Sequence, residues 1–294
     1  MSNIEVSQAE RLDQYVTRQV PSISRAYAVK LIEAGKVSVN QTPQIKAGYK
    51  LRGGDSVDIA YDEVAAAVIP EIDLHVIYED DDSVVVEKPI GLLTHSKGVF
   101  NPEATVASWL HSHLHAELAE ADTGPTNRAG IVHRLDRATS GLIICAKTAD
   151  ALAWLQKQFS QRRVKKTYIA VVKGVFEHPE AVIDLPIERD PKKPQTFRVG
   201  QNGKVATTTY KVLETDGVHS LVELRPQTGR THQLRVHMQY LKHPIVGDTL
   251  YGGESADRMF LHAHNLELTL PNRQRSVFVS DLPPEFAKQI SSHE

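Results

Sequence analysis

The stretch from Ile131 to Lys147 places one carboxylate, Asp136, between Arg134 and Arg137, in a turn containing Thr139, Ser140 and Gly141. The turn leads into an apolar run, Leu142 to Ala146. Flanking cations favour the ionised form of an acid, which is the form a nucleophilic carboxylate requires. A loop mounted on a strand end is rigidly supported, and chemistry is commonly placed there. The tripeptide alone carries little weight. Arg-Leu-Asp recurs at Arg11 to Asp13, within a helical pattern that reads as surface charge pairing.

The surroundings of Asp136 make the difference. His133-Arg134-Leu135-Asp136, two further residues, Thr139-Ser140-Gly141-Leu142, then an apolar run ending Ala146-Lys147, resembles the signature of the RluA-type family of RNA pseudouridine synthases. Four more blocks follow that family's order: Glu87 to His95 with its Lys88-Pro89-Ile90-Gly91 turn, Lys165 to Tyr168 with Ala170 and Gly174, Thr228 to His237, and His243 to Asp248 with Tyr251-Gly252. The resemblance runs from about Leu74 to the C-terminus. It departs from the family at Ser96, where Pro is common, and at Leu234, where Ile is usual.

Making pseudouridine breaks the base–sugar bond, turns the base and rejoins it through ring carbon 5. The oxidation state does not change, so the resemblance implies no cofactor and no metal. The first half is akin to glycoside cleavage, in which a carboxylate attacks or stabilises an oxocarbenium-like centre. Asp136 is the candidate carboxylate, and attack on the sugar, addition to the base and removal of a sugar proton all stay open. The resemblance makes Arg235 its cationic partner; a guanidinium fork suits two-point binding of a carboxylate. It makes Tyr168 the active-site aromatic. A uridine must leave its stack at a cost of a few kcal/mol, and stacking on a ring returns roughly 1–3 kcal/mol per base. The Tyr168 hydroxyl is also a candidate acceptor for the ring-carbon proton. Leu234 is placed beside the base, with core packing as the alternative. His133, Arg134, Arg137, Lys166, Arg230 and His232 complete the expected substrate-binding set, Arg230 as a phosphate contact.

Other histidines weigh less. His111 and His115 would share one face of a helix over Thr105 to Leu118, at metal-ligand spacing. No Cys or carboxylate falls in register to complete a set, so a solvated helix face is expected and no metal.

Net charge is −2, which alone argues against a polyanionic partner. Distribution decides otherwise. Arg128 to Tyr168 holds nine Lys or Arg against Asp136 and Asp150, so positive charge gathers around the candidate site. That is an electrostatic footprint for phosphates. A single cysteine, Cys145, excludes an internal disulfide and reads as a buried strand position. Neither a secretory signal nor a membrane-length apolar run is visible, and a cytoplasmic address is expected.

Two domains fit the 294 residues. The expected boundaries are a small RNA-binding domain over 1–62, a linker over 63–74 and a catalytic domain over 75–294. In the first, Ser7 to Val20 reads as a helix, a second helix runs to Ala34 and closes at Gly35, and Val37-Ser38-Val39-Asn40 reads as a strand and turn. Leu51 to Asp55 turns into strand Ser56 to Ile59. This arrangement is similar to the RNA-binding module named after small-subunit ribosomal protein four. The likeness implies Ser24, Arg25 and Lys30 as RNA contacts on the second helix.

In the second domain, strands are expected at His75–Tyr78, Ser83–Lys88, Thr167–Val172, Ala181–Leu185, Val205–Leu213, His219–Leu224, Leu266–Leu270 and Val277–Ser280. Helices are expected at Ala149–Gln161 and, capped by Thr231, at Thr231–Leu241. Strands that follow one another directly indicate an α+β fold with a mixed, mainly antiparallel sheet, the pseudouridine synthase fold.

The expected activity is therefore isomerisation of uridine in RNA without a cofactor. The attached module puts large-subunit ribosomal RNA first, free or in an assembling particle, and tRNA second. Two other classes compete: a non-catalytic RNA-binding or ribosome-assembly factor on the same fold, and a glycosidase of free nucleosides. Retention of Asp136, Tyr168 and Arg235 together speaks against the first, and the basic surface and N-terminal module against the second.

Overall fold

The computed structural model describes residues 4–5, 9–21, 23, 25–60, 69–95, 103–115, 118, 128 and 130–291. The chain divides into two compact units, one of Met1–Asp73, His95–Ser112 and Ala119–Ala129, the other of Leu74–Thr94, His113–Leu118 and Gly130–Glu294. Residues 61–68, which take in the first half of the expected linker, lie outside the described residues.

In the first unit, β1 (Ile4–Glu5), α1 (Leu12–Gln19), α2 (Arg25–Glu33), β2 (Val37–Val39), β3 (Thr42–Pro43) and β4 (Ser56–Ile59) follow in order. The antiparallel sheet runs β1-β4-β2-β3. Leu12, Tyr15 and Val16 of α1 recur at helical spacing and bury with Ala28 and Ile32 of α2 against Val37, Val39 and Val57. Gly35, at φ 68°, ends α2 in the left-handed conformation that glycine adopts without steric cost. Asn40 and Gln41 both have positive φ, the requirement of the tight hairpin turn between β2 and β3.

The first Arg-Leu-Asp differs from expectation. Asp13 is 2% exposed, not a surface charge. It accepts from Arg11 Nε at 2.9 Å and from Arg25 Nη2 at 2.7 Å. Burial pushes its carboxyl up, and the two guanidinium groups more than reverse this, holding it below the usual range.

Helix α3 (Val106–His111) starts at Thr105, whose side chain forms a reciprocal capping box with Ser108. It stops at His111, so His113 and His115 lie beyond it and the expected shared helix face does not form. Among the described residues, no three His, Cys, Asp or Glu are placed to hold a metal. No helix among them is long and apolar enough to cross a membrane.

The second unit contains β5 (His75–Glu79), β6 (Ser83–Lys88), β7 (Ser140–Ala146), α4 (Ala149–Ser160), β8 (Lys165–Lys173) and β9 (Glu180–Asp184). It continues through β10 (Ile187–Arg189), β11 (Phe197–Val199), β12 (Thr207–Thr215), β13 (His219–Pro226), α5 (Gln233–Tyr240), a 3-10 turn (Thr249–Tyr251), β14 (Leu261–Thr269), β15 (Arg275–Val279) and α6 (Glu285–Ser291). Among the described residues, nine strands make one sheet, ordered β5-β6-β7-β14-β8-β13-β12-β9, with β15 beside β14. Every pair is antiparallel except β7 with β14. The mainly antiparallel α+β reading holds.

All seven residues of β7 are buried, as befits a central strand covered on both faces. Cys145 lies there, 0% exposed, its thiol pushed up to about 12 by burial. Gly141 has φ 111°, and a Cβ there would meet the Ala263 carbonyl oxygen at 2.3 Å. Glycine is thus what lets β7 approach β14. Helix α4, capped by Thr148, packs Ala151 and Leu155 on Leu142, Ile144 and Leu266. Helix α5 packs Leu234 and Met238 on Ala170, Val222 and Leu224, and Phe286 of α6 covers Ile169 and Val171.

Helix α5 departs from the expected start. It begins at Gln233, and its N-cap is His232 in the left-handed conformation (φ 56°, ψ 21°), not Thr231. The Gln233 side chain fixes the preceding loop instead. Its Oε1 accepts from Thr228 Oγ1 at 2.7 Å and from the Arg230 N–H at 3.0 Å, while Nε2 donates to Thr207 O and Thr208 Oγ1.

Candidate active site

Asp136 stands on the loop that feeds β7, and that loop is tied down on both sides of it. Thr94 Oγ1 donates to Leu135 O at 3.0 Å and accepts the Leu135 N–H at 3.1 Å. The Thr139 N–H donates to Asp136 O, and the Gly91 N–H to Arg137 O. Beneath, Lys88 is 0% exposed and its ammonium donates to the carbonyls of Pro89, Leu92 and Arg137 at 2.8, 2.9 and 3.3 Å. Burial pushes Lys88 down to about 7; Asp136 opposes this and Arg137 adds to it. The sequence places Lys88 inside a motif, and its role as a clamp under Asp136 emerges only from the fold.

A cleft of 660 Å³ opens over this loop, between the C-terminal end of α4 and the start of α5. Asp136, Tyr168, Arg235, His133, Arg134, Lys166, Arg230, His232 and Leu234 all line it. Residues as far apart in the sequence as His133 and Arg235 therefore meet at one cleft. Arg137 does not line it; its guanidinium donates to Gly91 O at 3.2 Å. A residue next in line on a tight turn points away from the face its neighbour presents.

Asp136 keeps 22% of its side chain exposed, and Arg235 and His232 approach the same one of its oxygens. Arg235 Nη1 lies 3.5 Å and His232 Nε2 3.7 Å from Oδ2. Among the described residues Oδ1 has no protein partner. The two-point grip expected between Arg235 and Asp136 is not what forms. Arg235 Nε and Nη2 instead hold both oxygens of Asp248, each at 2.7 Å, in a pair whose side chains are 9% and 1% exposed. The guanidinium also stacks over the Tyr251 ring, 4.8 Å from its centroid. Burial lowers the Arg235 pKa, but the Asp248 bond and charge outweigh it, so the cation is permanent.

Tyr168 projects from β8 against Leu234 and the core, with no hydrogen-bond partner for its hydroxyl among the described residues. Burial and then the Asp136 charge push its ionisation well up. His133 is neutral: burial brings it down to about 3, with Lys166 adding to the shift. Its Nε2 accepts the Ile144 N–H at 3.1 Å, and its ring stacks on Phe159 at 4.6 Å. It therefore ties the loop of Asp136 to the second half of β7. His237 is likewise internal, between Thr208 Oγ1 and Leu185 O. Lys166 is half-buried with no carboxylate partner among the described residues, and its ammonium lies against Gly229. Arg230 donates Nε to Val205 O and leaves the rest of its fork to the cleft.

In the first unit, Arg25 spends Nε and Nη2 on Asp13, and Lys30 pairs with Glu103. Both side chains keep about half of their surface exposed, 51% and 57%. Ser24 lies outside the described residues.

Known proteins were compared with these features. The sequence profile described as RNA pseudouridylate synthase matches residues 82–240, and the S4 domain profile matches residues 10–57. The chain is 36% identical over 97% of its length to the ribosomal large subunit pseudouridine synthase D of Borreliella burgdorferi, covering 90% of that protein. It is 37% identical over 89% of its length to the protein of the same name from Escherichia coli, covering 83% of it. Among solved structures, human RNA pseudouridylate synthase domain containing 1 aligns with a TM-score of 0.59 and 28% identity, over 75% of this chain and 87% of that one. The chain belongs to the family of RNA pseudouridylate synthases, enzymes that isomerise uridine in RNA, and it carries an S4 domain at its N-terminus.

Proposed function

We propose that this enzyme isomerises uridines of large-subunit ribosomal RNA, with Asp136 as the catalytic carboxylate. The observation that carries this reading is the one-sided setting of Asp136: Arg235 Nη1 and His232 Nε2 both approach Oδ2, at 3.5 and 3.7 Å, and Oδ1 is left for a nucleotide in a cleft lined by cations. A carboxylate held this way is oriented before substrate arrives, which lowers the entropic cost of reaching the reactive geometry. Tyr168 serves as the stacking platform for the unstacked base. Its raised ionisation keeps the phenol protonated, so no phenolate stands ready and stacking is favoured over the role of base. Leu234, buried beside Tyr168, supplies apolar surface on the other wall. Arg134, Lys166 and Arg230 are the phosphate contacts.

The ribosomal substrate is supported by the names of the two bacterial relatives and by the S4 domain, whose α2 carries Arg25 and Lys30 as the expected RNA contacts. Modification takes place on free RNA or on an assembling particle, in the cytoplasm. Sequencing pseudouridine in total RNA from cells with and without this gene tests the assignment. Sites lost from large-subunit ribosomal RNA are expected; losses confined to tRNA would overturn it. In parallel, Asp136→Asn is expected to abolish pseudouridine formation while leaving RNA affinity near wild type, and turnover close to wild type would refute the role of Asp136.

A further inference from the structure

Tyr251 lies at the end of the 3-10 turn and is 3% exposed. Its hydroxyl oxygen accepts the Phe197 N–H at 2.9 Å and lies 2.7 Å from His232 Nδ1. With the oxygen already accepting one N–H, the hydroxyl proton needs an acceptor, and among the described residues only Nδ1 is in reach. A buried hydroxyl proton left without an acceptor is costly, so the proton goes to Nδ1. The opposite arrangement is penalised a second time. A proton on Nδ1 would turn the bare Nε2 lone pair toward Asp136 Oδ2, 3.7 Å away.

The ring itself is held. His232 sits edge-on to Phe197 and Tyr251, with centroids 5.7 and 5.5 Å away, and its backbone is fixed in the left-handed region at the start of α5. We propose that Tyr251 is a positioning residue for the isomerisation: by donating to His232 Nδ1 it fixes the Nε2–H tautomer, so that a second N–H joins Arg235 at Asp136 Oδ2 and Oδ1 is left to the nucleotide. This rests on the reading of Asp136 as the catalytic carboxylate. The turn from Asp248 to Tyr251 then controls both neighbours of that carboxylate, Asp248 through Arg235 and Tyr251 through His232. Burial keeps the ring neutral; of the charges facing it, Asp136 and Asp248 oppose that effect, and Arg235 and Arg134 reinforce it.

Long-range nitrogen–proton spectra of the full-length protein, with His232 assigned by its loss in His232→Gln, read the tautomer directly. A proton on Nε2 and a bare Nδ1 are expected; a proton on Nδ1 overturns the proposal. Tyr251→Phe keeps the ring under Arg235 and removes only the hydroxyl. Its kcat is expected to fall about tenfold with KM within about twofold, as for loss of a supporting hydrogen bond behind a reactive group. His232→Gln, which retains an N–H donor, should keep more turnover than His232→Leu. An unchanged kcat in Tyr251→Phe, or equal loss in the two His232 variants, refutes the positioning role. Failure of the Asp136 reading is separately visible, because Asp136→Asn would then turn over while the tautomer stayed as proposed.

Discussion

Asp248 takes two nitrogens of the Arg235 guanidinium at 2.7 Å each, and only Nη1 is left to approach Asp136, at 3.5 Å. The short, buried bonds belong to the structural pair, and the long contact belongs to the carboxylate in the cleft. Such a division suits the role proposed for Asp136: Arg235 is anchored by a carboxylate outside the cleft, so its field at Oδ2 is fixed whatever bonds Asp136 makes.

Removing that anchor should be costly. Breaking one side of a buried ion pair leaves an uncompensated charge and typically costs about 3–5 kcal/mol. Asp248→Ala is expected to lose stability of that order in urea denaturation. Asp248→Asn, which keeps an acceptor, should lose less, and in the folded fraction its kcat should fall more than its KM rises.

Lys88 gives a pH signature with a definite sign. Its folded pKa, about 7, lies below the ordinary 10.5 of the unfolded chain. Between those values the unfolded chain holds a proton that the folded one lacks, so this group makes stability rise with pH. Relative to Lys88→Met, wild type should gain up to roughly 1.4 kcal/mol per pH unit within that window, and little below pH 7. Paired denaturation curves at pH 6.5 and 9 check it; a constant difference would contradict the depressed pKa.

Gly141 and Gly35 separate crowding from backbone strain. Both have positive φ, but a Cβ at Gly35 meets nothing within 4 Å, whereas at Gly141 it overlaps the Ala263 backbone. Gly35→Ala should cost roughly 1–2 kcal/mol, the left-handed penalty alone. Gly141→Ala should cost more than about 3 kcal/mol or prevent folding, since β7 and β14 would have to part. Thermal melts of the two variants decide it.

The cations of the cleft should show themselves through salt. Each phosphate contact removed lowers the slope of log affinity against log salt by about 0.7–0.9. Lys166→Met and Arg230→Met are each expected to weaken RNA binding at low salt and to flatten that slope by about one. An unchanged slope would take the residue off the phosphate path.

Much of this site was legible in the sequence because its parts lie in compact motifs. Asp136 announces itself by flanking arginines and by the apolar strand that follows, and β6, β7 and α4 form where the pattern puts them. Tyr168 and Arg235 were legible only through the resemblance of their blocks to those of the family, since a strand tyrosine or a helix arginine alone carries no such signal. What remained hidden depends on contacts between segments. Arg235 chooses Asp248, 13 residues away, over Asp136 because the 3-10 turn delivers a fully buried carboxylate to its inner edge. Helix α5 starts two residues later than the pattern predicts, at Gln233, because His232 enters a conformation that few side chains adopt. The burial of Asp13 is invisible in its own segment because it depends on Arg25 arriving from the next helix. The ribbon of β10 and β11 gives little alternation, being short and rich in charge.

The parallel neighbour of β7 has a consequence for how the enzyme comes to be. Ser140 Oγ meets His262 Nδ1 at 2.9 Å across 122 residues of intervening chain, and the mount of Asp136 is enclosed only when β14 arrives. Contacts so distant in sequence close late in folding. During translation, the loop of Asp136 is therefore made long before the strand that completes its support, and a growing polypeptide that has not yet passed position 261 holds the cleft residues from 132 to 235 without the strand that encloses their mount.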